Sequence, residues 1–189
     1  WLDETSVGPN EPPRNENAAG AWADRNAAKH GEPVPLTVVA PMLMVTSRVE
    51  PFIQPVVILR GRKLSFKQRD NGTVVIGGGH LATPYRDRNE TVLDWDKLAI
   101  SARTVWELFP AMRAATIVRA WAGIEAYMPD GIPVVGPSST SEGVYHQFGF
   151  STHGFQLGPG TGAMMAELVA TGSTNTPIDG LEIERFLKA

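Results

Sequence analysis

Hydrophobic and polar positions change rhythm several times along the 189 residues. Residues 18–30 (AAGAWADRNAAKH) set the alanines and Trp22 on one side of a helical wheel and Asp24, Arg25 and Lys29 on the other. That pattern predicts a helix ended by Gly31 and Pro33. Residues 36–49 (LTVVAPMLMVTSRV) and 56–60 (VVILR) are rich in β-branched side chains and predict strands. Residues 63–69 (KLSFKQR) and 73–76 (TVVI) flank Asp70-Asn71-Gly72, a strong hairpin signal. Across 94–109 (DWDKLAISARTVWELF), Leu98, Val105, Leu108 and Phe109 recur at helical spacing before Pro110 stops the helix. Strands return at 115–122, 132–135 and 144–148, a helix follows at 162–171, and the chain closes on the short charged segment LEIERFLKA. The three prolines of residues 6–16 (SVGPNEPPRNE) predict a loop, because proline lacks the N–H that helices and interior strands require. Strands in the middle and helices toward both ends point to an α+β fold with a mixed or antiparallel sheet, not a complete doubly wound nucleotide fold.

Composition narrows the chemistry. With 42% hydrophobic and 20% charged residues the chain can bury a sizeable core as one domain or two small lobes. A net charge of −3 and the lack of a basic run argue against nucleic acid or an anionic membrane as partner. No cysteine is present, which excludes disulfides, thiolate metal ligands and a cysteine nucleophile, and fits a cytoplasmic protein. No apolar run approaches the roughly 20 residues of a membrane span, and the first residues do not resemble a signal peptide.

Two stretches carry the candidate chemistry. Residues 149–168 (GFSTHGFQLGPGTGAMMAEL) place glycines, Pro159 and His153 ahead of an apolar helix expected to begin near Gly160. Glycines at such a junction let backbone approach a ligand, and a helix N-terminus favours an electron-rich or anionic group. A glycine-rich connection needed only for tight helix packing fits the spacing equally well. Just upstream, residues 121–136 (WAGIEAYMPDGIPVVG) read as a strand, a Pro-Asp-Gly turn and a second strand.

Together with NAAGAWAD at residues 17–24, these stretches resemble the D-amino-acid oxidase superfamily of FAD-dependent amine oxidoreductases, in its sarcosine oxidase β-subunit, glycine oxidase and opine oxidase branch. The resemblance covers residues 17–172 in the family order. It implies the C-terminal portion of such an enzyme: residues 1–35 a loop and FAD-domain segment, 36–119 a substrate-binding sheet with the helix at 94–109, and 120–189 the flavin-facing strands and C-terminal helix of the FAD-binding fold. The implied cofactor is FAD. Ala19, Gly20 and Trp22 would lie beside its diphosphate and ribose side. Gly123, Asp130, Gly131 and Pro133 would border the flavin ring, and Gly149, Ser151, His153, Gly154, Phe155 and Gln156 would run along its edge. The implied reaction is oxidation of a C–N bond by hydride transfer from the α-carbon of a small amine or amino acid to flavin, so positioning matters more than an acid or base.

Some positions depart from the family pattern. No Gly-x-Gly-x-x-Gly unit precedes Asn17, and Gly77-Gly78-Gly79 follows a hairpin strand instead of opening an apolar helix. The chain is therefore expected to be part of a larger enzyme or to work with another subunit. The alternative is a non-catalytic, cap-like fragment or partner subunit that binds no FAD alone. The apolar strand that usually leads into NAAGAWA is replaced by PPRNE. After WAG, Glu125 stands where glycine-oxidase-like members carry an arginine that forks onto the substrate carboxylate. A carboxylate there disfavours glycine or D-alanine and favours a bulkier or cationic secondary amine such as an opine; the plain alternative is a solvated or salt-bridged strand residue.

For the remaining candidates both functional and structural roles stand open. Tyr127 and Met128 fit a substrate cavity or turn packing, His80 the substrate pocket or an exposed loop, and His153 the flavin edge or a structural hydrogen bond. The four histidines show no i, i+4 pair and no carboxylate at ligand spacing, so no metal is expected. Met42, Met44, Met164 and Met165 are read as core gap-fillers. No Gly-x-Ser-x-Gly elbow is present.

Overall fold

The computed structural model describes residues 3–5, 8–10 and 13–187. Its contacts divide into two units, one of residues 1–38 with 125–189 and one of 39–124. In chain order the first unit opens with β1 (Asp3–Thr5), β2 (Gly8–Asn10), β3 (Asn15–Asn17), a 3-10 turn (Gly20–Trp22), α1 (Ala23–Lys29) and β4 (Thr37–Val39). The second unit holds β5 (Met42–Thr46), β6 (Val57–Leu59), β7 (Leu64–Gln68), β8 (Val74–Gly77), β9 (Thr83–Tyr85), β10 (Glu90–Val92), α2 (Trp95–Leu108) and β11 (Ile117–Ala122). The chain then returns to the first unit through β12 (Glu125–Tyr127), β13 (Val134–Pro137), β14 (Val144–Phe148), α3 (Gly154–Thr171) and a 3-10 turn (Ile183–Phe186). This is an α+β architecture.

Period-two alternation organises the second unit. Its antiparallel sheet runs β11-β5-β8-β7-β6, and the register aligns Ala120, Met44, Ile76, Phe66 and Val57 in one row across all five strands. Met44, Ile76 and Phe66 are buried, together with Leu98 and Val105 of α2, so the sheet's apolar face and the helix's apolar stripe form a single core. Phe66 stacks on Phe109 with ring centroids 4.6 Å apart. The β7–β8 hairpin turns where Asp70-Asn71-Gly72 predicts it: Arg69 N–H donates to the Thr73 carbonyl at 2.8 Å, and Asn71 Oδ1 accepts from Thr73 N–H at 3.0 Å. Asp94 caps α2 by accepting from Lys97 N–H at 3.1 Å.

In the first unit the sheet β13-β14-β3 has an apolar cluster on either face. Val134 and Phe148, paired in register, pack with Ala23 and Ala27 of α1, Met128 and Ile183. Val135, one residue on, turns to Met164, Met165 and Leu168 of α3. The four methionines expected in the core at 42, 44, 164 and 165 are all buried.

Three expectations are corrected. Residues 6–16 are not wholly loop: Gly8–Asn10 and Asn15–Asn17 are strands, and β3 pairs in parallel with β14, Val144 opposite Asn15 and His146 opposite Asn17. The strand leading into NAAGAWAD therefore forms without apolar residues. It lies at a sheet edge, where backbone pairing needs only one partner, and follows the prolines instead of containing them. Residues 6, 7, 11 and 12 of that stretch lie outside the described residues. The helix read over 18–30 is a 3-10 turn at Gly20–Trp22 followed by α1. The last long helix begins at Gly154, not near Gly160. Its glycines do not break it because none at 154, 158, 160 or 162 takes a positive φ, and the helix runs on through Pro159 in its second turn, where the ring removes the N–H bond to residue 155 and crowds that carbonyl.

Candidate functional site

The approach to α3 is tightly wound. Gly149 (φ 74°), Ser151 (φ 50°) and Thr152 (φ 71°) all have left-handed geometry before His153 takes the N-cap position. For a residue with a Cβ that conformation costs roughly 1–2 kcal/mol, so two in succession need outside support. Strand β12 supplies much of it. Ser151 N–H donates to the Ala126 carbonyl at 3.1 Å, and Ser151 Oγ accepts from Met128 N–H at 3.1 Å and donates to the Gly149 carbonyl at 3.2 Å. Tyr127 bridges Phe150, and His153 N–H donates to the Phe150 carbonyl at 2.9 Å. At Gly149 a Cβ would sit 2.5 Å from Met128 Cγ, so glycine serves both the turn and the close approach.

Past the cap the helix opens outward. Phe155 is fully exposed, Leu157 is exposed, and Gln156 is exposed beside them. A Cβ built on Gly158, Gly160 or Gly162 meets nothing within 4 Å. Among the described residues these glycines serve no close packing; they leave room along the first turns of α3, next to its positive dipole end.

Two further segments reach this region. The Gly20–Trp22 turn packs against β12, with Ala19 and Gly20 exposed and Trp22 half-buried. The turn at 129–133 follows directly on β12: Gly131 N–H returns to the Met128 carbonyl at 3.0 Å, and Asp130 Oδ1 accepts from Ile132 N–H at 3.0 Å. Asp130 Oδ2 accepts from Arg185 Nε at 2.9 Å, while Arg185 Nη1 donates to the Leu181 and Glu182 carbonyls and Nη2 to those of Ile132 and Pro133. Burial pushes the Asp130 carboxyl up, but the hydrogen bonds from Arg185 and Ile132 outweigh it and hold the group below its ordinary pKa. Asp130 and Gly131 are exposed and Pro133 is buried.

Glu125 and Tyr127 lie half-buried on β12. Burial pushes the Glu125 carboxyl above its ordinary pKa, and no cation pairs with it among the described residues. The structure thus gathers Ala19, Gly20, Trp22, Glu125, Tyr127, Asp130, Gly131, Pro133, Gly149, Ser151, His153, Gly154, Phe155 and Gln156 in one unit, on segments tied to β12 or flanking it. Gly123 and His80 belong to the other unit. Gly123 N–H donates to the Pro41 carbonyl at 3.4 Å. His80 is half-buried; burial first, then Lys63 and Lys97, push its pKa down against the opposing pull of Asp94.

Two residues escaped the sequence. Arg185 lies in the charged tail, where nothing in the pattern marks it as the clamp of a turn more than fifty residues away. Glu32 is the second, beyond the reach of any sequence spacing: its Oε2 lies 2.8 Å from His146 Nε2 across 114 residues of sequence, and both side chains are wholly buried. The pair belongs to no group of three or more candidate metal ligands among the described residues.

A family model described as "FAD dependent oxidoreductase" (DAO) matches residues 16–168. The chain belongs to this family. Human mitochondrial sarcosine dehydrogenase is 27% identical over 191 residues, an alignment that takes in 97% of the chain and 21% of that protein. Sarcosine oxidase subunit beta of Rhodobacter capsulatus is 31% identical over 147 residues, 77% of the chain and 34% of the subunit. Among solved structures, L-proline dehydrogenase from P. horikoshii superposes with a TM-score of 0.90 at 27% identity, covering 99% of the chain and 50% of that structure. The chain therefore spans about half of this DAO structure and a fifth to a third of these two curated relatives. FAD is the cofactor by which the family is defined, and no described helix is long and apolar enough to cross a membrane.

Proposed function

We propose that the chain is the flavin-facing and substrate-facing portion of a DAO-family enzyme that oxidises the C–N bond of a secondary amine or amino acid. The observation that carries the reading is the open, glycine-lined start of α3, with Phe155 fully exposed at its tip and a strained loop pinned beneath it. The space beside Gly158, Gly160 and Gly162 is open where a Cβ would stand, which leaves room for a planar ring system, so the residues present fit FAD. The edge of the flavin is assigned to residues 149–156, its border to Asp130, Gly131 and Pro133, and the diphosphate side to Ala19, Gly20 and Trp22. Residues 39–124 are assigned the substrate-binding sheet. When bound, FAD would supply the acceptor for the hydride that leaves the substrate α-carbon. The chain's part would be electrostatic and steric: backbone N–H groups and the positive end of α3 would stabilise the negative charge that develops on the reduced ring, and Phe155 and Leu157 would exclude water beside it.

Glu125 sets the substrate class. An ionised carboxylate on β12 repels a substrate carboxylate and attracts a cationic arm, so opine-like or other cationic secondary amines are favoured over glycine, with Tyr127 on the same strand as a further substrate contact. The test is anaerobic addition of amines to the FAD-loaded protein, read as bleaching of the visible flavin band. Cationic secondary amines are expected to bleach it fastest, and Glu125→Arg is expected to shift the preference toward glycine and sarcosine; an unchanged order contradicts the assignment. Glu125→Gln supplies a second readout. Folding favours the protonated form of a carboxyl whose pKa is raised, so its burial penalty is absent below the ordinary value near 4.5 and grows as pH rises through the raised one. Glu125→Gln should therefore melt higher than the parent at pH 7 to 8 and match it below about pH 4.

A further inference from the structure

Behind the Gly20–Trp22 turn lies a chain of buried polar groups to which the catalytic reading gives no role. The Glu32 carboxylate accepts on every side: from Ser138 Oγ at 2.6 Å and His146 Nε2 at 2.8 Å on Oε2, and from Ser139 N–H at 2.7 Å and Ser139 Oγ at 2.8 Å on Oε1. Burial pushes this carboxyl up, but those donors outweigh it and hold it below its ordinary pKa, so it stays ionised at neutral pH. His146 Nδ1 meets Asn17 Nδ2 at 3.2 Å. Asn17 Nδ2 also donates to the Ala23 carbonyl at 2.9 Å, and Asn17 Oδ1 accepts from Ala19 N–H at 3.4 Å.

These bonds have a direction. An ionised carboxylate can only accept, so the proton of the neutral His146 ring sits on Nε2, leaving Nδ1 to accept from Asn17. That in turn fixes which way the Asn17 amide faces, and so presents its oxygen to Ala19 N–H. Burial keeps His146 neutral by pushing its pKa down, against the pull of Glu32.

We propose that Glu32 and His146 are positioning residues that act through Asn17 to hold residues 17–22 in their cofactor-binding shape. The proposal rests on the assignment of that turn to FAD. A polar cluster that only fills space would tolerate a change of hydrogen-bond direction at constant volume. This one would not. Glu32→Gln turns an NH2 donor toward His146 Nε2, the ring proton moves to Nδ1, and Nδ1–H then meets the Asn17 NH2 donor to donor. Relief requires the Asn17 amide to flip, which turns its NH2 group toward Ala19 N–H.

Nitrogen NMR of the His146 ring and of the backbone amides reads this in the 189-residue chain without cofactor. The parent is expected to show the Nε2–H tautomer. Glu32→Gln is expected to show Nδ1–H, with the amide resonances of residues 18–22 displaced. Ser139→Ala removes one donor, the hydroxyl, from Glu32 without touching the ring, and is expected to keep both tautomer and resonances. Titration with FAD should then give a roughly tenfold weaker Kd for Glu32→Gln and an unchanged one for Ser139→Ala, a tenfold change being about 1.4 kcal/mol. An Nδ1–H tautomer in the parent overturns the proposal whether or not the variants fold, as does a Glu32→Gln variant whose 18–22 resonances or FAD affinity match the parent. If FAD moves no resonance of the parent, the assignment of the turn to FAD fails instead, while the tautomers still decide the relay.

Discussion

Gly78→Ala is expected to cost more than about 3 kcal/mol of stability, a loss of roughly 6–12 °C in Tm for a chain of this size. Gly78 has φ 128°, a region closed to side-chain-bearing residues, and an added Cβ would lie 2.4 Å from Leu64 N, 2.6 Å from Leu64 Cα and 2.7 Å from Lys63 C. All three obstacles are backbone at the start of β7, paired in the sheet, so no rotamer change relieves the overlap. Gly79→Ala is the control. Gly79 also has a positive φ, 80°, but its Cβ would meet nothing within 4 Å, so only the conformational cost of roughly 1–2 kcal/mol remains. Thermal or urea unfolding of the pair decides the matter; equal losses would mean that the close approach of β8 to β7 contributes nothing. The same geometry explains why Gly77-Gly78-Gly79 is no phosphate loop: its central glycine is spent on packing against a neighbouring strand.

Arg185→Ala is expected to destabilise the protein by about 2–3 kcal/mol and to weaken flavin binding with it. One guanidinium holds the Asp130 carboxylate and carbonyls on both sides of the 129–133 turn and at 181–182, and hydrogen bonds to charged groups contribute about 1.5–3 kcal/mol each before the partners find water. Arg185 is mostly buried and Asp130 one-third exposed on their side chains, so solvent recovers part of that total. Arg185→Lys should restore less than half, since an ammonium cannot reproduce the fork. Asp130 should titrate closer to its ordinary value in Arg185→Ala, because the hydrogen bond and charge that lower it are gone. Unfolding curves alongside carboxyl titration by NMR check both outcomes; a lysine variant as stable as the parent would show that charge alone matters.

Legibility in the sequence followed the range of the interactions. The β7–β8 hairpin and α2 were readable because their signals are local: Asp70-Asn71-Gly72 between alternating strands, and Asp94 ahead of Leu98 and Val105. Strand β3 was not, because NEN has no strand propensity and is held by backbone pairing with residues 144–146. The start of α3 is misplaced for the opposite reason: glycines and Pro159 read as breakers, yet the glycines keep ordinary φ and the helix runs on through the proline in its second turn. At the candidate site, NAAGAWAD, WAG…PDGIPVVG and the glycine junction could be recognised as segments, whereas the bonds joining them could not. Ser151 to Ala126 and Met128, Arg185 to the 129–133 turn, and Glu32 to His146 each cross from 23 to 114 residues of sequence. Their partners are chosen by the fold, after local patterning has done its work.

The measurement that bears most directly on the central claim is the visible absorption spectrum of the purified 189-residue chain before and after adding FAD and removing the excess. Retained flavin bands, shifted and structured by burial, are the predicted result, because the open start of α3, the 129–133 turn and residues 17–22 lie in one unit and are built around β12. A chain that emerges colourless, with all the FAD in the filtrate, would contradict the claim that these residues form a flavin-binding face.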